Sequence, residues 1–480
     1  MGLRILMLLE LKQFFRNRAY VGLMAILLAL MAFASWNSHA YFDARQEEVR
    51  SQLQLVEKND AKLIAEIDRL NQGIDTFENS YTLPTSGIRL TFNNHRITWL
   101  PFQPLSLIAI GQADLFSNYK KIILYNNDSY EPSSEELVSP LEQLFGQLDL
   151  AFVWVYLLPL IILLCSFNVL SAERESGRLS LIASQPTRLS SWLFAKLAFR
   201  FFILFTLLVA GTTVLLLAFN VDLAGNLLAL GRLNLLLTLY SGFWFVLCFL
   251  VNLADYSSGK SLIVLTTTWV LFVFLIPSVV NLLAQELHPI PSRLEVINHH
   301  QATYNEVEGN LDAEMQKLFE THPDWRSDDP VTKDLSNSTG WNINYLAKQY
   351  IAQLKHRPIA ASYERKIKDR VEWIGFFEAL SPAMIMQSAL TDMAGTSAGF
   401  YRGYLEQTQD YAEAYRQYVF QRIFTNHAFT SEEIRHLPEF RFDSTRVSQS
   451  FATDALALLA YLVALSLLCI RFAKQAFQVH

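Results

Sequence analysis

Residues 171–196 read SAERESGRLSLIASQPTRLSSWLFAK, a charged stretch between two long apolar runs. The run Leu150–Leu170 precedes it and the run Leu197–Phe219 follows it. Four of its charged residues lie close together: Glu173, Arg174, Glu175 and Arg178. Such a cluster is costly in hydrocarbon, so it marks the point where the chain leaves a membrane.

Apolar residues are concentrated in six runs, although hydrophobic residues make up 51% and charged residues 18% of the whole chain. A helix needs roughly 20 mainly apolar residues to cross a bilayer. We therefore predict a mainly α membrane protein with six transmembrane helices. Their predicted bounds are 18–40, 150–171, 197–219, 226–253, 261–285 and 451–472.

Lysine and arginine in short loops set the orientation of membrane proteins. These residues concentrate before the first predicted helix and after the second, fourth and sixth, whereas the loop Asn220–Asn226 has none. Both termini are therefore predicted to be cytoplasmic. Residues 1–17 would form an interfacial helix, 172–196 and 254–260 cytoplasmic loops, and 473–480 a tail. Residues 41–149 and 286–450 would be extracytoplasmic and mostly helical, and we expect the first helix to be an uncleaved anchor rather than a signal peptide.

The first insertion opens with apolar residues on alternating four- and three-residue steps between Val49 and Leu70. This pattern predicts that the first membrane helix extends outward from the membrane. A solvated helix with one packed stripe fits the pattern better than an intermolecular coiled coil does. Residues 88–99 alternate weakly like a strand. In the second insertion Tyr404, Tyr411, Tyr415 and Tyr418 share one helical face. Such a stripe is more typical of a core than of a ligand platform.

Motifs that resemble enzyme sites lack the surroundings that these sites need. Gly259-Lys260-Ser261 ends like a phosphate-binding loop, but Ala254 stands where the first glycine is required. Gly395-Thr396-Ser397-Ala398-Gly399 fits the nucleophile elbow without a preceding strand. The histidines lack the spacing of a zinc site. We expect no enzyme activity, no cofactor and no metal on this chain, and the net charge of −6 gives no reason to expect a nucleic-acid partner.

The order Glu173-x-Glu175-x-Gly177-x-Leu179, then Ser184-x-Pro186 and Lys196, resembles the first intracellular loop of ABC-2-type transporter permeases. Further segments resemble the bacterial DUF3526-type subgroup of these permeases. They are Gly146–Pro186, Pro289–Arg293, Leu380–Ala383, Asp392–Gly395 and Leu437–Phe440.

This resemblance implies an ABC-2 (type V exporter-like) fold in the bacterial inner membrane. It also implies two copies of a separate ABC ATPase subunit, which would bind ATP and Mg²⁺, and a second permease subunit, identical or related. In the family the loop forms a short helix that presses on the ATPase. By this analogy the main ATPase contact would be Glu173, Arg174, Glu175, Gly177 and Arg178, and a smaller one would be the segment from Asp255 to Lys260. The alternative is that these charges only stop membrane transfer and fix topology.

Pro159 and Pro277 interrupt helical hydrogen bonding in the second and fifth predicted helices. They are candidate hinges, and fixed packing kinks are the alternative.

Few ionisable residues stand within the predicted membrane helices, which favours export of an amphipathic, lipid-like or peptide substrate over an ion. The alternative is a mechanotransmitter that acts on an envelope partner through its ectodomains and moves no cargo. The size of the insertions, 109 and 165 residues by the bounds above, favours that alternative or a handover of the substrate to a partner.

Overall fold

The computed structural model describes residues 3–77, 81–125, 148–184, 189–447 and 451–476, and this part of the chain is mainly helical. Within these described residues, six helices are long and apolar enough to cross a membrane, and we call them spans one to six. Their bounds are Arg18–Asn71, Leu150–Glu175, Leu189–Ala218, Leu227–Leu253, Ser258–Leu287 and Phe451–Ala473. The mainly α fold and the six predicted apolar helices are thereby confirmed. Span three begins eight residues before its predicted start at residue 197, because Leu189–Lys196 continues the helix into the predicted loop.

The other helices lie before span one, in the two insertions and, in the case of the short helix Leu179–Ala183, between spans two and three. Their bounds are Leu3–Arg16, Gly87–Phe92, Arg293–Gly309, Leu311–Thr321, Pro330–Lys333, Ser338–Phe377, Pro382–Ala394, Ala398–Phe424 and Ser431–Arg435. Single turns of 3-10 helix occur at Ser106–Ile108, Ala113–Leu115, Pro323–Trp325, Glu378–Leu380 and Ser444–Arg446. Strands β1 (Arg96–Trp99) and β2 (Tyr119–Ile122) form an antiparallel pair, with Arg96 opposite Ile122.

Span one continues without interruption into the first insertion. The helix has 54 residues, which at 1.5 Å per residue is about 80 Å. Its far end is held by the insertions, where Leu63 and Ile67 are buried. The carboxylate of Asp60 also accepts two hydrogen bonds from the guanidinium of Arg96 in β1. The predicted extension of the first membrane helix is confirmed, and its apolar stripe packs within the same chain.

Only the second part of the weakly alternating segment 88–99 forms a strand. Ser86 accepts a hydrogen bond from the amide of Ile88 and starts the helix Gly87–Phe92, so the strand forms only from Arg96 onward. The first insertion beyond span one is therefore less helical than predicted over residues 81–125, where a two-stranded sheet and short turns dominate.

The tyrosine stripe forms part of the core of the insertions, as predicted. Tyr404 and Tyr415 have no exposed surface, and Tyr411 and Tyr418 are half-buried. The hydroxyl of Tyr404 donates to the backbone carbonyl of Thr98 at 3.1 Å, which joins the second insertion to β1 of the first. The two insertions thus share one core at one end of the bundle, which we call the insertion end.

Part of the second insertion enters the helix bundle. After the helix Ser338–Phe377 the chain turns at Glu378–Leu380 and returns as the helix Pro382–Ala394, which Ser381 caps. Three residues of the returning helix, Ala383, Met386 and Leu390, are buried in the core of the spans. We call Glu378–Ala394 the re-entrant hairpin. It lies in the stretch 286–450 predicted to be extracytoplasmic, which is therefore not wholly separate from the spans.

The tip of the hairpin lies against spans five and six partway along their length, and its residues Ala379 and Leu380 are exposed. The Ser381 hydroxyl donates to the carbonyl of Phe272, about halfway along span five. The Tyr461 hydroxyl donates to the carbonyl of Ala379 at 2.7 Å, and Tyr461 is ten residues, or about 15 Å, into span six.

Pro159 in span two and Pro277 in span five each follow a π-helical turn: Val153–Leu157 precedes Pro159, and Leu271–Leu275 precedes Pro277. Proline has no amide hydrogen, so a carbonyl of the preceding turn loses its helical donor. In the turn before Pro159, the hydroxyl of Tyr240 donates to the Val155 carbonyl at 2.7 Å and Trp269 Nε1 to the Tyr156 carbonyl at 3.2 Å.

Before Pro277, the carbonyl of Phe272 accepts a hydrogen bond from the hydroxyl of Ser381. At both prolines a carbonyl of the preceding turn is therefore bonded to a neighbouring element. Hinge motion at Pro159 and Pro277 stays a prediction.

The Tyr240 hydroxyl is fully buried, so Tyr240→Phe should leave the Val155 carbonyl without a donor and lower the free energy of unfolding by about 1–3 kcal/mol. The matched control is Tyr256→Phe, because Tyr256 is exposed. Unfolding in detergent, followed by circular dichroism, measures both. Equal stability of the two variants would contradict the role assigned to Tyr240.

Candidate functional site

The charged stretch that begins in the last part of span two forms two short helices at the end of the bundle opposite the insertions, which we call the loop end. The first is Ser171–Glu175 and the second is Leu179–Ala183. Gly177 joins them with a φ of +73°, a left-handed conformation that side chains disfavour. Its amide donates to the Arg174 carbonyl and the Arg178 amide to the Glu173 carbonyl, a pattern that ends a helix at a glycine.

Asn252 of span four forms hydrogen bonds with the backbone where the helix of span two is interrupted. Its Oδ1 accepts from the Leu170 amide at 3.0 Å, and its Nδ2 donates to the Ser166 carbonyl at 3.0 Å and to the Cys248 carbonyl at 2.8 Å. Asn252 is 3% exposed, so these backbone groups have little access to water. The break between the helix ending at Ser166 and the helix starting at Ser171 therefore depends on one amide side chain.

Glu173 is a buried member of an ion-pair network. Its carboxylate accepts from Arg178 Nε at 2.8 Å and from Lys196 Nζ at 3.1 Å. Only 8% of Glu173 is exposed. Glu173 is one of the predicted ATPase contacts, but its side chain is directed into the protein and holds the loop in place.

The same network reaches the N-terminal helix. Lys196 also lies 3.5 Å from the carboxylate of Glu10, which accepts from Arg200 at 3.0 and 3.1 Å. Arg200 further donates to the hydroxyl of Tyr20 and to the backbone carbonyl of Cys165. Glu10 is 2% exposed and Arg200 7%, so the two charges neutralise each other inside the bundle.

Arg174 and Glu175 join this loop to the loop between spans four and five. The Arg174 guanidinium donates to the carboxylate of Asp255 and, at 2.7 Å, to the carbonyl of Tyr256. The Glu175 carboxylate accepts from both the amide of Ser258 at 2.9 Å and its hydroxyl at 2.8 Å. Glu175 thereby caps the start of span five, where free amides and the helix dipole favour an anion. The two predicted contact segments thus bind each other.

The exposed residues at the loop end come from both segments. Gly177, Arg178 and Leu181 are exposed on the first, with Leu181 70% exposed. On the second, Asp255, Tyr256 and Lys260 are exposed. We call these six residues the loop-end surface. Of the other predicted contacts, Glu173 is buried behind this surface, Arg174 is half-buried, and Glu175 is exposed beside it. The bonds of these three residues fix the shape of the surface.

Sequence reasoning missed Asn252, Glu10 and Arg200. Asn252 and Arg200 are polar side chains within apolar runs, and that isolation was the available signal. The prediction that the membrane helices hold few buried charges overlooked Arg200, which lies inside the predicted span 197–219. Among the residues that the structure describes, no group of three or more His, Cys, Asp or Glu side chains could hold a metal ion.

Comparison with known families finds a match over residues 293–443 to the family described as "Domain of unknown function (DUF3526)". This match supports the DUF3526 resemblance and includes the re-entrant hairpin. It does not extend to the loop end, and its description assigns no activity. No curated protein and no solved structure matches the chain.

Asn252→Leu keeps the approximate volume of the side chain but removes its donor and acceptors. The variant should lose roughly 2–4 kcal/mol of stability, because the buried Leu170 amide and Ser166 carbonyl would lack partners. Hydrogen exchange at residues 167–172 should accelerate. Asn234→Leu, at a half-buried position in the same span, is the matched control. Unchanged exchange at residues 167–172 in Asn252→Leu would refute this role.

Proposed function

We propose that this chain is the membrane permease subunit of an ATP-binding-cassette transporter, driven by a separate ATPase subunit. The observation that carries the proposal is the construction of the loop end. Arg174 and Glu175 bind the loop between spans four and five, and the buried Glu173 anchors the loop to span three. The loop-end surface is thereby held on a rigid base, as a docking site for a partner requires.

The coupling step follows from this construction. An ATPase that docks on the loop-end surface pushes on the loop after span two. Glu175 passes the displacement to the first turn of span five, and Lys196 passes it to span three. Interfaces of this kind shift between discrete arrangements rather than deforming continuously. Three spans would then move together.

The surroundings of this subunit in the cell form part of the proposal. The chain would lie in a bacterial inner membrane with both termini in the cytoplasm. It would pair with a second permease, identical or related, and with two ATPase subunits. The insertions would then face the extracytoplasmic side.

For the cargo, we propose export of an amphipathic, lipid-like or peptide molecule. Glu10, Lys196 and Arg200 are paired with one another at the loop end rather than lining a path through the spans. An ion or a strongly polar solute would call for charged or polar groups along its route.

A mechanotransmitter is the second candidate, and span one favours it. Its helix of 54 residues connects the bundle directly to the shared core of the insertions. A continuous helix passes a tilt at one end to the other, about 80 Å away. Such a protein would act on an envelope partner without moving cargo.

Leu181→Asp tests the docking surface, because an aspartate there places a charge at an apolar contact. Co-purification of the ATPase subunit should fall at least tenfold, while the unfolding midpoint stays unchanged since Leu181 is 70% exposed. Leu228→Asp is the matched control, an equally exposed leucine at the insertion end.

Glu173→Gln should behave in the opposite way: it should destabilise the subunit by roughly 2 kcal/mol through the weakened pairs with Lys196 and Arg178.

If Leu181→Asp retains the ATPase, or the wild-type chain purifies without one, the proposal fails.

Transport and mechanotransmission differ in proteoliposomes that contain the complete complex. An exporter of lipid-like molecules should move a fluorescent short-chain phospholipid between leaflets in the presence of ATP. Spin labels at Leu228 and His436, both exposed, report motion between the bundle and the insertions. A change in their distance with ATP, but no lipid movement, would favour the mechanotransmitter.

A further inference from the structure

The N-terminal helix, Leu3–Arg16, turns back beside span one instead of projecting away from the bundle. Arg200 of span three donates to the carboxylate of Glu10 at 3.0 and 3.1 Å, and to the hydroxyl of Tyr20 at 3.3 Å. Glu10 precedes the first residue of span one, Arg18, whereas Tyr20 follows it. Because both side chains reach the same guanidinium, this part of the N-terminal helix lies level with the beginning of span one.

The junction between the two helices is a single residue, Asn17. Its amide donates to the carbonyl of Gln13 at 3.2 Å, and its side chain accepts from the amide of Ala19 at 3.0 Å. Phe14 is 3% exposed and its ring lies 5.3 Å from that of Tyr20. The direction of the N-terminal helix is therefore fixed at its junction, by its buried ring and by the ion pair of Glu10.

Two exposed stripes lie next to the buried face of this helix, since successive residues of an α-helix are turned by about 100°. Leu11 and Phe15 form an apolar stripe and are 38% and 61% exposed. Lys12 and Arg16 form a basic stripe, and both are exposed, as is Arg18 at the start of span one. We call these five residues the N-terminal surface.

The positive charge of the N-terminal surface is not compensated within the described part of the chain, where no acidic side chain forms an ion pair with its three basic residues. Glu10 is the only acidic residue in the sequence of residues 1–18. It is 2% exposed, and Arg200 and Lys196 neutralise it inside the bundle. The outward side of the helix therefore presents cations beside apolar side chains, which is the composition of a helix that binds an anionic membrane surface.

We propose that the N-terminal surface binds anionic phospholipids of the membrane at the loop end. Lys12, Arg16 and Arg18 would contact the phosphate groups, and Leu11 and Phe15 would lie among the first carbons of the acyl chains. When the apolar stripe faces the bilayer, the buried face is turned sideways to the bundle. The basic stripe then lies on the side away from the bundle, at the level of the headgroups.

The alternative for these basic residues is that they only fix the orientation of span one during insertion. That role requires neither an exposed apolar stripe nor a helix held in one direction against the spans. It also predicts that the folded protein has no preference among lipids. Lipid binding at this surface does not depend on the transport function proposed above.

Native mass spectrometry of the full chain in detergent measures the affinity for phosphatidylglycerol and for phosphatidylcholine with the same acyl chains. A basic residue near an anionic surface contributes about fivefold in affinity. Lys12→Gln combined with Arg16→Gln should therefore weaken phosphatidylglycerol binding about 25-fold and leave phosphatidylcholine binding unchanged. The matched control is Lys62→Gln combined with Arg441→Gln, because these side chains are 72% and 87% exposed away from the loop end. It should bind both lipids like the wild type.

Hydrogen exchange in nanodiscs locates the effect. Amides of residues 11–17 should exchange about tenfold more slowly in phosphatidylglycerol than in phosphatidylcholine, because bound lipid stabilises the docked helix. The difference should vanish in the Lys12→Gln, Arg16→Gln variant. It should also vanish in about 1 M salt, where the Debye length is about 3 Å.

Phe15→Gln distinguishes a lipid from a free phosphate. It should weaken the binding of both lipids about tenfold, because the acyl contact is lost, while the preference for phosphatidylglycerol persists. Glycerol 3-phosphate, which has the phosphate but no acyl chains, should not slow exchange at residues 11–17.

Three results would overturn the proposal. The first is wild-type affinity for phosphatidylglycerol in the Lys12→Gln, Arg16→Gln variant. The second is protection by glycerol 3-phosphate equal to that by the lipid. The third is loss of the ATPase subunit from that variant with lipid binding intact, which would assign the N-terminal surface to the partner.

Discussion

A backbone amide or carbonyl that is freed inside an apolar helix bundle must find its hydrogen-bond partner within the protein. This constraint explains the placement of the polar side chains among the spans. Asn252 binds the break after Ser166, Tyr240 binds the kink before Pro159, and Ser381 binds the kink before Pro277. In each case the partner comes from another element, so every interruption of a span also joins two parts of the fold.

Buried charges obey the same constraint at the loop end. Glu10, Glu173, Lys196 and Arg200 would each be unfavourable alone, yet they lie on three chain segments that meet. Removing any one of them leaves a buried charge without part of its compensation. The network therefore couples the position of the N-terminal helix to the position of the charged stretch that begins at Ser171, although the two segments are far apart in the sequence.

The sequence predicted those features that depend on local composition. Six apolar runs of sufficient length became six spans, the apolar steps after Val49 became the extension of span one, and the tyrosine stripe became core. The re-entrant hairpin could not be predicted in this way. It has 17 residues, fewer than a span requires, and it includes polar side chains such as Gln387 and Asp392. Its insertion depends on partners in spans five and six that are distant in sequence.

The same reason explains the unpredicted parts of the loop end. The charges of residues 171–178 were evident, but which of them face outward was not. Glu173 is buried because Lys196 is 23 residues away on a helix that passes beside it, and Arg200 can lie inside the bundle because Glu10 is 190 residues away. Pairings over such distances in sequence follow from the packing of the spans and leave no periodic signal.

Span five connects the two unusual features of the structure. Its first residue, Ser258, is held by Glu175 at the loop end, and its midpoint, at Phe272, holds the re-entrant hairpin. An α-helix is stiff along its axis, so a displacement of Ser258 reaches the hairpin unless the helix bends between them. The π-turn Leu271–Leu275 lies at the hairpin contact and not before it. The segment Ser258–Val270 is a regular helix. The geometry therefore links the loop-end surface to the hairpin through a single unbroken helical segment, and the bonds of Ser381 and Tyr461 then extend this link to the insertions.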